Sequence, residues 1–330
     1  MSRLRMIGLC LVAVVAIGAV AAASASAEAP EYGRCIKKAK TEGAGFSDAN
    51  CNSAVGAEGK YEWIAGPGPK AKFTSVERFL FSGKYTQCLR ARGEEEIAEE
   101  KRKQAETAPE PEKAKLIREA EEHERVAEEK RAKAKLNKAE CEALIEEEHA
   151  KAPAVLQTVT GSTVTCGGVT STGEYSGTKT VGNLVTTFTE CSIGGLACQS
   201  AGAEEGEIVT ATLDGVLGVV QKEEPLTKTK VKIGLDLFPA EGTVVNEFNC
   251  SGFGVVVTGS VIHEVKANKM VLTETEKFTQ SKGKQKPESF EGQPADVLET
   301  SIFGGPNEQS GLTLKGELTN EEKIEINTVV

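Results

Sequence analysis

The chain has 330 residues, with 49 acidic against 39 basic side chains and a net charge of −10. A surface of that sign repels a phosphate backbone, so no nucleic acid partner is expected. Only three histidines and 5% aromatic residues are present, and the length allows one large domain or two small ones.

Residues 1–27 read as a signal peptide. Arg3 and Arg5 supply the charge, Met6 to Ala23 the apolar run, and Ala25-Ser26-Ala27 the small-residue exit before Glu28. The alternative is a retained anchor, since about 18 apolar residues is near the lower limit for a span; the Ala- and Ser-rich exit favours cleavage. Cys10 lies too early in the apolar run to become a lipid-modified N-terminus. A secreted or cell-surface location is therefore expected.

Export changes what the cysteines mean. Nine minus Cys10 leaves eight: Cys35, Cys51, Cys88, Cys141, Cys166, Cys191, Cys198 and Cys250. An even number in an exported chain reads as disulfides. Eight cysteines allow 105 pairings, among which sequence alone does not choose; local position suggests Cys35–Cys51 and Cys191–Cys198, with Cys166–Cys250 as a long-range bridge and Cys88–Cys141 left within the charged segment. Zinc is the rival reading, but no C-x-x-C pair occurs, and no cofactor is expected.

Residues 28–81 form an N-terminal segment of a β domain, with a turn at Gly66-Pro67-Gly68-Pro69. Asp48, Asn50 and Asn52 alternate as in a calcium loop, but Ser53 stands where glycine is required and Gly59 at the final ligand position. An Asx-rich turn beside a disulfide is the better account. Tyr61 and Trp63 fall on one face of a strand, either to stack on a sugar ligand or to pack against the Gly/Pro loop.

Residues 82–152 form a charged helical insertion. Thr107 to Pro111 interrupts it, giving helices at about 94–106 and 112–150. Ala120, Ala127, Ala134 and Cys141 recur every seven residues, a narrow seam that offers helix-mediated self-association; a solvated spacer tethered at its base is the preferred reading. Cys88 and Cys141 do not sit level on such a hairpin, and an extended run up to Gly93 would absorb the mismatch. His123 and His149 fall on solvated helix faces.

Residues 153–330 read as an antiparallel β domain. Leu184 to Phe188, Ile208 to Leu213, Val231 to Leu237 and Val255 to Ile262 are rich in β-branched residues. Val231, Ile233, Leu235 and Leu237 alternate toward a core. Asp214-Gly215 reads as a hairpin turn, and Glu241-Gly242, Lys282-Gly283 and Thr319-Asn320 as further turns. The expected fold is mainly β: an antiparallel sandwich or barrel with an inserted charged helical hairpin.

Catalytic signatures are scarce. His263 stands at a strand end beside Glu264 without the second histidine a zinc protease helix needs. No nucleophile elbow, P-loop or dinucleotide fingerprint occurs. Asp236, Glu247 and Asp296 lie in or near strands and are candidates for a dispersed carboxylate pair, with solvent-facing positions as the simpler reading.

The run Cys166-Gly167-Gly168, Gly173-Glu174-Tyr175-Ser176-Gly177, Thr187-Phe188-Thr189-Glu190-Cys191, Cys198 and Gly206 to Thr210 resembles an uncharacterised group of secreted bacterial proteins. Gly259-Ser260-Val261-Ile262, Asn268-Lys269-Met270, Gly283-Lys284-Gln285 and Phe290-Glu291-Gly292 continue the resemblance, as do Gly33-Arg34-Cys35, Cys51 and Tyr61-Glu62-Trp63. It covers most of the mature chain and implies export, with no catalytic residue. The chain departs from that pattern at about residues 76–153, which marks the helical segment as an insertion. Together these features lead to the expectation of an exported, non-enzymatic structural or binding protein with a cell-envelope polysaccharide or protein as partner. The alternative is a secreted carbohydrate-binding or carbohydrate-active protein.

Overall fold

Alternating β-branched and polar residues favour half-buried strands, and strands account for 49% of the chain against 21% for helices. The computed structural model describes residues 30–38, 45–56, 58–79, 81–149, 151–221 and 231–328; the expected signal peptide and Cys10 lie outside them. Ahead of the helices come β1 (Glu31–Lys37), β2 (Gly45–Phe46), β3 (Ala54–Gly56), β4 (Tyr61–Ala65) and β5 (Lys72–Arg78). Three helices follow: α1 (Gly83–Thr107), α2 (Glu112–Ala134) and α3 (Lys138–His149). Next are β6 (Ala154–Thr158), β7 (Thr163–Cys166), β8 (Gly168–Tyr175), β9 (Thr180–Thr189), β10 (Ser192–Ile193), β11 (Leu196–Gln199) and β12 (Ile208–Val209). Then run β13 (Leu213–Gln221), β14 (Lys232–Pro239), β15 (Val244–Cys250), β16 (Phe253–Thr258) and β17 (Val261–Val265). The chain closes with β18 (Val271–Ser281), β19 (Lys284–Lys286), β20 (Ser289–Phe290), β21 (Gln293–Pro294), β22 (Leu298–Ile302) and the 20-residue β23 (Glu308–Asn327).

The expected mainly β fold takes the form of an eight-stranded antiparallel barrel with extra strands and three helices. At one end the ladders run β23-β6-β7-β10-β11-β15-β16-β22 and return to β23. At the other end they run β23-β5-β8-β9-β13-β14-β17, with β18 on the opposite edge of β23. The two circuits match position by position, and five of the wall elements are long staves broken near the middle. β5 continues into β6, β7 into β8, β9 into β10, β14 into β15 and β16 into β17. β23 alone spans both ends unbroken. His263 of β17 and Phe278 of β18 meet with ring centroids 4.8 Å apart, where the second circuit closes through side chains. One contiguous core lines the interior, including Phe73, Val164, Phe188, Leu235, Val257 and Leu318.

Several expectations are corrected. The bridges are Cys35–Cys51, Cys88–Cys141, Cys166–Cys191 and Cys198–Cys250; Cys166–Cys250 and Cys191–Cys198 do not form. Cys198 stands opposite Cys250 in the β11–β15 register. The Cys198 N–H does donate to the Cys191 carbonyl at 3.0 Å, but each sulfur bonds to the stave on its other side. Asp214-Gly215 is no turn: it lies inside β13, where a Cβ on Gly215 would meet Leu237 and Val181 at 2.7 Å. Thr319-Asn320 lies inside β23, with Asn320 buried. The expected strand from Val255 to Ile262 breaks at Gly259, which has φ +94°.

The helical region also differs. α1 starts at Gly83, because the Ser82 side chain accepts the Tyr85 N–H at 3.1 Å as an N-cap. The second expected helix is two. Lys135 takes a left-handed conformation that ends α2, and Asn137 and Glu140 cap α3 reciprocally, at 2.8 and 2.9 Å. This break, rather than an extended run before Gly93, brings Cys141 level with Cys88.

Candidate functional site

The helical arm enters the barrel wall inside a stave. Val76 of β5 faces Glu317, and Ala154 of β6 faces Leu314, on the edge of β23 opposite β18. The stave therefore leaves at the end of β5 and resumes at β6, and the Lys315 N–H bonds the Pro153 carbonyl there at 3.0 Å.

Four features hold the arm's base. Phe81 stacks on Tyr85 at 4.3 Å. Glu148 accepts the Ser82 N–H at 2.9 Å, tying α3 to the start of α1. The Cys88–Cys141 bridge fastens the same two helices. Finally, the Gly194-Gly195 turn between β10 and β11 lies against α1: a Cβ on Gly195 would collide with the Leu89 carbonyl, and one on Gly93 would reach Gly195 at 2.9 Å.

Above the base, α1 and α2 pack through alanine. Ala91, Ala98 and Ala105 of α1 and Ala120, Ala127 and Ala134 of α2 are all fully buried. Both sets recur every seven residues, so small side chains meet along one line and let the helices approach closely. Charges flank the seam: Lys101–Glu119 at 2.5 Å, Arg102–Glu124 at 2.8 Å, and Glu95 with both Arg131 and Lys138. His123, expected on a solvated face, lies 2.6 Å from Glu94 across the hairpin. The seam read from the sequence is thus filled by the chain's own α1. The half seam on α1 was legible in the same way, as a seven-residue alanine repeat from Ala91.

The barrel interior is unusually polar near its β17–β18 side. Glu274 and Glu276 alternate inward on β18, and Ser75 donates its hydroxyl to Glu276 Oε2 at 2.7 Å. Tyr175 donates to Asn320 Oδ1 at 2.8 Å. Tyr32, from β1, packs edge-on against Tyr175 at 4.6 Å. Burial, with the neighbouring Glu276 charge, raises Glu274 to about 7, and burial likewise raises Glu276 against the opposing Ser75 bond. Burial lowers His263 to about 4, so its ring is neutral over the ordinary pH range. His263 lies in the middle of β17, not at a strand end as expected. The sequence signal for this cluster was the Glu274/Glu276 alternation, which a surface strand shows equally.

The other candidate residues are separated. Tyr61 and Trp63 share a face of β4, opposite Lys37 and Cys35 of β1, and both are half-buried. The Trp63 ring lies over Gly33, where a Cβ would collide with it. Asp48 accepts backbone N–H groups from Asn50 at 2.9 Å and Ser53 at 2.8 Å; desolvation is the largest single influence and raises its pKa, but these bonds and the one from Asn52 together outweigh it and leave the pKa lowered. Asn50 Oδ1 accepts the Lys323 ammonium at 2.9 Å, and Asn52 N–H also turns to Asp48, at 3.2 Å. These groups close an Asx-type turn beside Cys51. Asp236 is raised by burial, reinforced by the charge of Asp296, and its Oδ1 and the Ser260 Oγ are both buried without a hydrogen-bond partner. Those two carboxylates are neighbours; Glu247 is exposed on β15 and is not among the charges acting on Asp236. His149 is the last residue of α3.

Among the described residues no group of three or more His, Cys, Asp or Glu is placed to hold a metal ion, and no helix is long and apolar enough to cross a membrane. Four disulfides fit an oxidising environment. No protein-family model matches the chain, and no curated protein or solved structure matches it significantly.

Proposed function

We propose that this is an exported, non-enzymatic protein of the cell surface or its matrix, in which the barrel is a rigid base and the helical arm carries the contact surface. The observation that carries this reading is the arm's attachment. It leaves and re-enters one stave, and an interhelical disulfide, the Glu148–Ser82 hydrogen bond and a glycine-lined contact fix its base. A loop with no role beyond linking β5 to β6 needs none of these, because long surface insertions are tolerated without them. The signal-peptide pattern and the four bridges support export. The partner is a cell-envelope polysaccharide or protein, met by the charged outer faces of α1 and α2.

The test is fractionation of producing cells that express the full chain or a variant with residues 79–152 replaced by a short Gly-Ser linker. The full chain is expected in the envelope fraction, beginning near Glu28, and the variant in the medium. Equal partition of the two, or recovery of the full chain in the cytosol with Met1 attached, overturns the proposal.

A further inference from the structure

The barrel is not filled throughout. An internal cavity of about 70 Å³ lies where the two halves of the staves meet, walled chiefly by apolar side chains such as Leu156, Phe188, Phe248, Val257 and Leu298. A single water needs roughly 10–15 Å³ of such space, so the cavity takes a molecule of several heavy atoms.

Most polar groups on the wall are satisfied within the protein. The Ser171 and Thr186 hydroxyls bond each other at 2.9 Å, and Thr210 Oγ1 accepts the Thr186 N–H at 3.0 Å. Two groups are left over. Asn246 Oδ1 is buried with no donor. Glu276, 7% exposed, lines the cavity with its carboxyl and uses Oε2 for Ser75. Burial raises the Glu276 pKa against the opposing Ser75 bond; in its protonated form, with Oε2 accepting from Ser75, the carboxyl offers the proton on its other oxygen as a donor. The cavity therefore presents one acceptor, one donor and an apolar wall.

We propose that this cavity binds a small neutral alcohol of about five heavy atoms, its hydrocarbon body against the apolar wall and its hydroxyl engaged by Asn246 and the Glu276 carboxyl. A hydroxyl both donates and accepts, which matches what the wall lacks. A pure hydrocarbon leaves both polar groups unpaired. An ammonium brings a charge into an apolar site and loses its hydration for one partner. A water cluster satisfies the polar groups but wets the wall.

The test is methyl-resolved NMR of the full mature chain titrated with isobutanol, with isobutylammonium as the charged control. Saturable shifts are expected at the methyls of Leu156, Val257 and Leu298 with isobutanol and not with isobutylammonium. Asn246→Leu, at a half-buried position of similar size, weakens binding about fivefold. Glu276→Gln, which keeps a donor on the same shape, holds it within about twofold. Val257→Phe, which fills the cavity, abolishes the shifts; should that variant fail to fold, the Asn246→Leu and Glu276→Gln pair decides alone. Shifts that rise linearly or spread over surface methyls, equal binding of isobutylammonium, or exchange of water only, each overturn the proposal.

Discussion

Glu274 and His263 oppose each other in their effect on stability. A carboxyl whose folded value lies above its unfolded one favours the fold while protonated. Its contribution is complete below about 4.5 and is lost as pH rises through the folded value near 7. A histidine held down at about 4 works in reverse: its contribution is present above about 6.5 and lost as pH falls through 4. Between 6.5 and 7.5 the loss from the carboxyl outweighs the last of the histidine's gain, so the melting temperature is expected to fall slightly across that interval. Glu274→Gln should flatten the slope and, at pH 7.5, raise stability by about 1–3 kcal/mol, measured by urea unfolding. Gly316 belongs to the same arrangement, since a Cβ there would stand 2.9 Å from Ser75 Oγ, the donor to Glu276. None of this is visible in the sequence, where Glu274 and Glu276 read like any polar alternation; only closing the tube turns that face inward.

The arm teaches the complementary lesson. Its helical nature and its break near Pro109 and Pro111 follow from propensity and proline chemistry, and both were legible. The division of α2 from α3 was missed although Asn137-Lys138-Ala139-Glu140 carries the pattern of a capping box; the continuous charge repeat masked it. The alanine seam was half read, from α2 alone, which left helix-mediated self-association beside the preferred solvated spacer; in the structure these alanines are buried against α1. Close approach makes the seam intolerant of bulk. Ala127→Leu is expected to cost about 1–3 kcal/mol of arm stability, seen as faster amide hydrogen exchange in α1 and α2 while the barrel amides keep their protection.

For the whole molecule, strand content and antiparallel character were legible from β-branched alternation, as along Ile233, Leu235 and Leu237. The order of the staves was not, because it depends on ladders between segments far apart in the chain. The disulfides failed for the same reason: Cys191 and Cys198 are close in sequence, but the register of β11 against β15 chooses Cys250 for Cys198. The arm sits between β5 and β6, which share one edge of β23. Replacing residues 79–152 with a short linker is therefore expected to leave the barrel folded, with a near-native far-ultraviolet β spectrum, cooperative melting and the bridges Cys35–Cys51, Cys166–Cys191 and Cys198–Cys250 intact. A molten or aggregated product would show that the arm is part of the core.

The unbroken stave β23 follows every other strand in the chain, yet it supplies ladder partners to β1, β5, β6, β18 and β22. Until Glu308–Asn327 is available, those five strands have open edges, with backbone donors and acceptors free to pair with another molecule. Assembly of this wall is therefore governed by its final segment. Nascent or truncated chains lacking it are the forms most exposed to sticking together.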